Sequence, residues 1–209
     1  MISATYKQHM GNDLMVINAA RVSFAKESAM FNDKDAGLIS YLAKHNHKSP
    51  FNHTGVTFHV KAPIFVARQL VKHEYMPWNE VSRRYVDDEP EFYTPDVWRG
   101  RSADKKQGSE GAIKLSLFRN NCINSAIGSA FKVYSELLED GVAPEQARMV
   151  LPQSTMTEWY WSGTLFAFAK MCNLRCTGDT QLETRLVANQ ICDKMRELFP
   201  VSWLALRGL

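Results

Sequence analysis

A chain of 209 residues with 45% hydrophobic and 22% charged side chains is sized for one globular domain with a substantial core. Its formal charge of +3 is too small for a nucleic-acid or membrane-surface binder, but it allows a local basic pocket for a small anion. Cys122, Cys172, Cys176 and Cys192 make no CxxC pair, no leader-like apolar run opens the chain and no stretch is long enough to span a bilayer, so a reducing cytoplasm is expected, whether the cell's own or a host's.

In chain order, Ile2 to Tyr6 reads as a short strand. GNDLMVINAARVSF reads as a helix capped by Asn12 or Asp13, with Arg21 and Ser23 at its end facing either solvent or a ligand. A second helix opens on Asn32 or Asp33 and runs into the loop KHNHKSPFNH. His45, His47, His53 and His59 fall close together, but their spacing matches no common zinc site, and no metal is expected.

Thr54 to Val60 alternates as a half-buried strand. Pro63 fits the first position of a helix running to Tyr75 and stopped by Pro77, which puts Gln69, Lys72 and His73 on one face. Beyond Pro77 an extended chain would point Glu80, Ser82 and Arg84 the same way, a polar row of about 13 Å suited to a nucleotide. This stretch, KHEYMPWNEVSRRY, with Arg68 before it, concentrates five basic side chains and two carboxylates in a short space.

Residues 87–110 contain EFYTP and then WRGRSADKKQGSEG, which reads as a solvated loop or a tolerated insertion, and Ile113 to Leu138 reads as one long helix with Ile127, Ala130, Phe131, Tyr134 and Leu138 inward. A short helix at Pro144 sets Glu145 and Arg148 three apart, as in a local ion pair. Thr155 to Met171 reads as an aromatic-rich helix of the core or of a subunit interface. Thr180 and Glu183 suggest a capping box for a last helix ending near Leu198, which leaves Arg175 in the preceding turn. Arg84, Arg148 and Arg175 thus lie at element ends, where a guanidinium can bind phosphate bidentately. Ser82 has no obvious general base except His73 or Glu80, so a nucleophilic mechanism is poorly supported. Neither GxGxxG nor a P-loop occurs.

These segments resemble the flavin-dependent thymidylate synthases. The family's signature is RHR, seven residues, then Ser, and here Lys72-His73-Glu74 precedes Ser82 at that spacing. The resemblance extends to GNDL and AARVSF within 11–24, HKSPFNH at 47–53, FHVKAPIFVARQ at 58–69, NEVSRRY at 79–85, ARMVLP at 147–152 and NLR at 173–175. It implies a mixed α/β (α+β) single domain with a sheet and long helices, spanning 1–209 and assembled as a homotetramer with active sites shared between subunits. It also implies FAD, NADPH as reductant, and methylenetetrahydrofolate as carbon donor in the conversion of dUMP to dTMP. By the same resemblance Gln69, Glu80, Ser82, Arg83, Arg84, Arg148 and Arg175 hold dUMP. Arg175 polarises the uracil and His47 lies beside the substrates. Ser23, Ser49, Asn52, Lys72, His73, Glu74, Asn79, Lys170 and Asp179 face FAD.

The chain departs from the family pattern at Lys72, Glu74, Phe166, Lys170 and Asp179, all on the flavin side. Two alternatives follow: a homologue that hydroxymethylates a pyrimidine nucleotide, and a nucleotide-binding protein of the same fold that has lost its flavin.

Overall fold

The computed structural model describes residues 1–86, 88–103 and 108–208. Among them, strands β1 (Ser3–Met10), β2 (Gly55–Pro63), β3 (Trp78–Glu80) and β6 (Met156–Gly163) form one antiparallel sheet in the order β1-β2-β6-β3. Strand β2 is central. It buries Val56, Phe58, Val60 and Ala62, while Thr57, His59 and Lys61 stay half-buried on the other face. Period-two alternation therefore decides which face is covered. Phe58 pairs with Trp161 in register, Trp161 meets Phe168 edge-on at 5.5 Å, and Trp78 stacks on Trp159 at 4.3 Å. Burying each phenylalanine contributes about 1.5–3 kcal/mol.

Against this face lie α3 (Ile64–Leu70), α6 (Leu165–Arg175) and α7 (Leu182–Leu198), with α8 (Pro200–Arg207) packed on α6 and α7. Helix α1 (Asp13–Arg21) is capped by Asn12, and α2 (Asp33–Lys44) by a capping box of Asn32 and Asp35. No helix among the described residues is long and apolar enough to cross a membrane.

Several sequence expectations change. Met156–Gly163 is a strand, not the front of a helix, because Trp159 and Trp161 point inward with Tyr160 outward between them; Thr164 then caps α6 through Ala167 N. Pro63 closes β2, and the first N–H groups of α3 bond to the carbonyls of Thr155 and Gln153. The hairpin of β4 (Trp98–Arg101) and β5 (Ser109–Ile113) stands where a loop was expected, although 87 and 104–107 lie outside the described residues. The long helix α4 (Leu117–Glu139) starts later than expected, under a Ser116 cap, and of its expected inward stripe only Tyr134 is buried.

After α5 (Pro144–Ala147), Arg148 Nε donates to the Glu145 carbonyl and not to its carboxylate. The Thr180–Glu183 capping box does not form. The Thr180 hydroxyl turns back to Leu174 O, and Glu183 is taken by Arg99 through two bonds of 2.7 and 2.8 Å. Helix α8 was not expected; Asp13 caps its start, accepting from Val201 N and Ser202 N at 2.9 Å each.

Candidate active site

Helix α3 ends at Leu70, well short of Tyr75. In a continuing helix the Gln69 carbonyl would accept from His73 N. Here Arg175 Nη2 donates to that carbonyl at 3.3 Å, and His73 N turns to Leu70 O instead. The chain then passes through a left-handed Tyr75 to Pro77. Gln69 thus stays on α3, while Lys72, His73 and Glu74 occupy a separate turn.

Arg175, at the end of α6, also donates through Nε to His73 Nε2 at 3.2 Å. An imidazole that accepts this bond must be neutral there. Burial, then the charges of Arg175 and Lys170, lower the His73 pKa from 6.5 to about 4. Gln69 is itself fixed from the start of α7, giving an N–H to Gln181, the residue before the helix, at 2.5 Å and accepting from Thr184 at 3.1 Å. Gln69, His73 and Arg175 therefore form one connected group. Its supports, Gln181 and Thr184, carried no signal in the sequence.

The Glu80–Ser82–Arg84 row does not form as an extended strand. Strand β3 stops at Glu80, and Tyr85 N bonds to Ser82 O at 2.9 Å, closing a turn. The turn still brings Ser82 and Arg84 together, with Oγ 3.4 Å from Arg84 Nε. Glu80 is held between Thr157, whose hydroxyl donates at 2.7 Å, and the Trp78 indole N–H at 3.0 Å. Thr157 became visible only once β6 existed as a strand. Arg83 turns to Asp88, donating to its carbonyl at 2.8 Å. Arg148 sits in a 3-10 turn that packs against α4 and α5.

The residues expected to face FAD, and His47, are spread over several places. Ser23, His47 and Ser49 line one cavity of about 720 Å3, together with Arg21, Tyr41 and Leu42. Arg21 is anchored there by the buried Asp35 at 2.5 Å. Asn52, in the same 3-10 turn as Ser49, accepts from Thr164 at 2.7 Å. Lys72 and Glu74 lie at the α3 exit, where Glu74 pairs with Lys170 at 3.4 Å across exposed surface. Asn79 lies on β3 opposite Tyr160. Phe166 takes the ammonium of Lys48 over its ring at 5.5 Å, and the backbone of Asp179 lies against Gly108. Small polar donors and cations beside an aromatic and apolar wall are the chemistry a flavin nucleotide requires, and the cavity has the size range of cofactor sites.

The family described as "Thymidylate synthase complementing protein" matches residues 6–201. The chain is similar to the flavin-dependent thymidylate synthase of Thermus thermophilus, 41% identical over 200 residues that cover 94% of this chain and 72% of the relative. It is also similar to that of Thermosipho africanus, 42% identical over 193 residues covering 91% and 84%. Among solved structures it resembles a UMP/dUMP methylase, PolB from Streptomyces cacaoi, bound with 5-Br dUMP. The TM-score is 0.86 and the identity 33%, over 100% of this chain and 96% of that one.

Proposed function

From the premise that the chain belongs to the flavin-dependent thymidylate synthases, we infer how its own residues carry out the methylation of dUMP. The observation that carries the reading is the connected group Gln69–Arg175–His73. Arg175 is held by two bonds before any ligand arrives, so its remaining N–H groups are preorganised for a uracil carbonyl on which negative charge develops. A neutral His73 keeps Arg175 in place and does not compete as a cation.

Ser82, Arg83 and Arg84 take the phosphate, with Gln69 and Glu80 on base and sugar and Arg148 arriving from a neighbouring copy. Ser82 binds and does not attack, because its Oγ accepts from Arg84 N and Nε while the two candidate bases are engaged, Glu80 by Thr157 and Trp78 and His73 by Arg175. His47 lies beside the substrates.

The flavin is FAD, held by Ser23, Ser49, Asn52, Lys72, His73, Glu74, Asn79, Lys170 and Asp179. When bound and reduced by NADPH it supplies the hydride, while methylenetetrahydrofolate supplies the carbon. Lys72 and Lys170 compensate for the positive charge lost around the FAD diphosphate. The enzyme works as a homotetramer in the cytoplasm. Leu117 and Phe118, 82% and 73% exposed on α4, support an assembly face there, and four free cysteines suit that compartment.

The purified protein is expected to be yellow and to oxidise NADPH only with dUMP present, forming dTMP. A product heavier by one oxygen would indicate hydroxymethylation, and a colourless chain that cannot be loaded with FAD would leave a nucleotide-binding protein. Lys72→Ala and Lys170→Ala should each weaken FAD binding about tenfold, the loss of one charge-assisted contact. Unchanged flavin fluorescence titrations would refute the compensation.

A further inference from the structure

Cys172 on α6 and Cys176, the residue that caps its end, lie one turn apart, Cys176 N donating to Cys172 O. Cys192 comes from the middle of α7, packed alongside. The three Sγ atoms all lie within 4.8 Å of one another, and this is the one group among the described residues able to hold a metal ion. Three sulfurs around a single ion at about 2.3 Å sit about 4 Å apart, so little movement closes the site.

The surroundings favour negative charge on sulfur. Trp203 Nε1 and Arg207 Nε are buried donors with no hydrogen-bond partner, and both belong to α8, which packs on α6 and α7. Cys172 and Cys192 are buried and Cys176 is half-exposed, so an ion would enter from the Cys176 side.

We propose that Cys172, Cys176 and Cys192 form a binding site for a thiophilic d10 cation of the zinc class, with three sulfur ligands and one position open toward Cys176. A divalent ion with three thiolates carries one net negative charge, which Arg207 balances, and binding releases the thiol protons to solvent. Hard cations are unsuited, since no oxygen ligand belongs to the cluster. A Cys172–Cys176 disulfide is disfavoured, because one helical turn separates the Cβ atoms by about 5–6 Å and a disulfide needs about 3.5–4.5 Å. Arg175 lies between two of the ligands in sequence, so a bound ion would tie its turn to α7.

The test is an anaerobic titration of the reduced, full-length protein with Cd2+, followed by sulfur-to-metal charge-transfer absorption, and with Zn2+ against a chromophoric chelator. One equivalent per chain is expected. Cys176→Ser and Cys192→Ser should each weaken binding by about 10–100-fold, and Cys122→Ser should leave it unchanged. Should Cys192→Ser fail to fold, the half-exposed Cys176→Ser decides alone. Absence of the charge-transfer band, binding that survives Cys176→Ser, or a disulfide at Cys192 in the purified protein would each overturn the proposal.

Discussion

His73 is half-buried between two cations, and this sets its protonation. Its folded pKa is about 4, while an unfolded histidine titrates near 6.5. Between these values the unfolded chain binds a proton that the folded chain refuses. Stability from this group is therefore complete above about pH 6.5 and is lost as pH falls toward 4. Urea midpoints measured across that window should fall more steeply for the wild type than for His73→Gln, and parallel curves would contradict a neutral His73. The role of this residue was hidden in the sequence, where Lys72-His73-Glu74 reads as a charged helix end. Its neutrality depends on Arg175, which is 102 positions away.

Two contacts between distant elements govern how the helices are held. Asp13 opens α1 yet caps α8, so Asp13→Ala leaves two N–H groups without their acceptor. A loss of about 2 kcal/mol is expected in chemical denaturation, with Asp13→Asn milder. The β4–β5 hairpin is fastened to α7 by Arg99 on Glu183, which is almost fully buried. Burial raises the Glu183 pKa, but the bonds from Arg99 outweigh it and the net shift is downward. Arg99→Ala should cost about 3 kcal/mol by stranding a buried charge. Adding Glu183→Gln should recover part of that, and strictly additive losses in the double-mutant cycle would exclude the coupling. Caps at Asn12 and Asn32 and the alternation of β2 were legible because their signals are local. The start of α8 and the hairpin were not, because their partners lie far along the chain.

The arrangement of copies is the remaining level. If Arg148 reaches a neighbour's site while Arg175 serves its own, Arg148→Ala and Arg175→Ala should each lose dUMP-dependent NADPH oxidation. Mixing the two inactive proteins after mild dissociation should restore part of the activity, because some mixed sites contain neither substitution. No recovery, with mixed assemblies verified by mass, would mean that each copy completes its own site. Phe118→Asp should shift the sedimenting species below four times the 23.8 kDa chain mass if α4 forms the assembly face.

Local order of residues was enough to establish the caps at Asn12 and Asn32, the last long helix and the family resemblance, and through that resemblance the mixed α/β class, since hydrophobic period, capping chemistry and motif spacing all act over a few positions. It could not place the strand at Trp159–Trp161, the early end of α3, the grip of Arg175 on Gln69 O or the meeting of three thiols. Each of those is a competition between a local preference and a partner brought close by folding. In each the distant partner prevailed, because a buried polar or aromatic group left without its contact costs more than a broken helical turn.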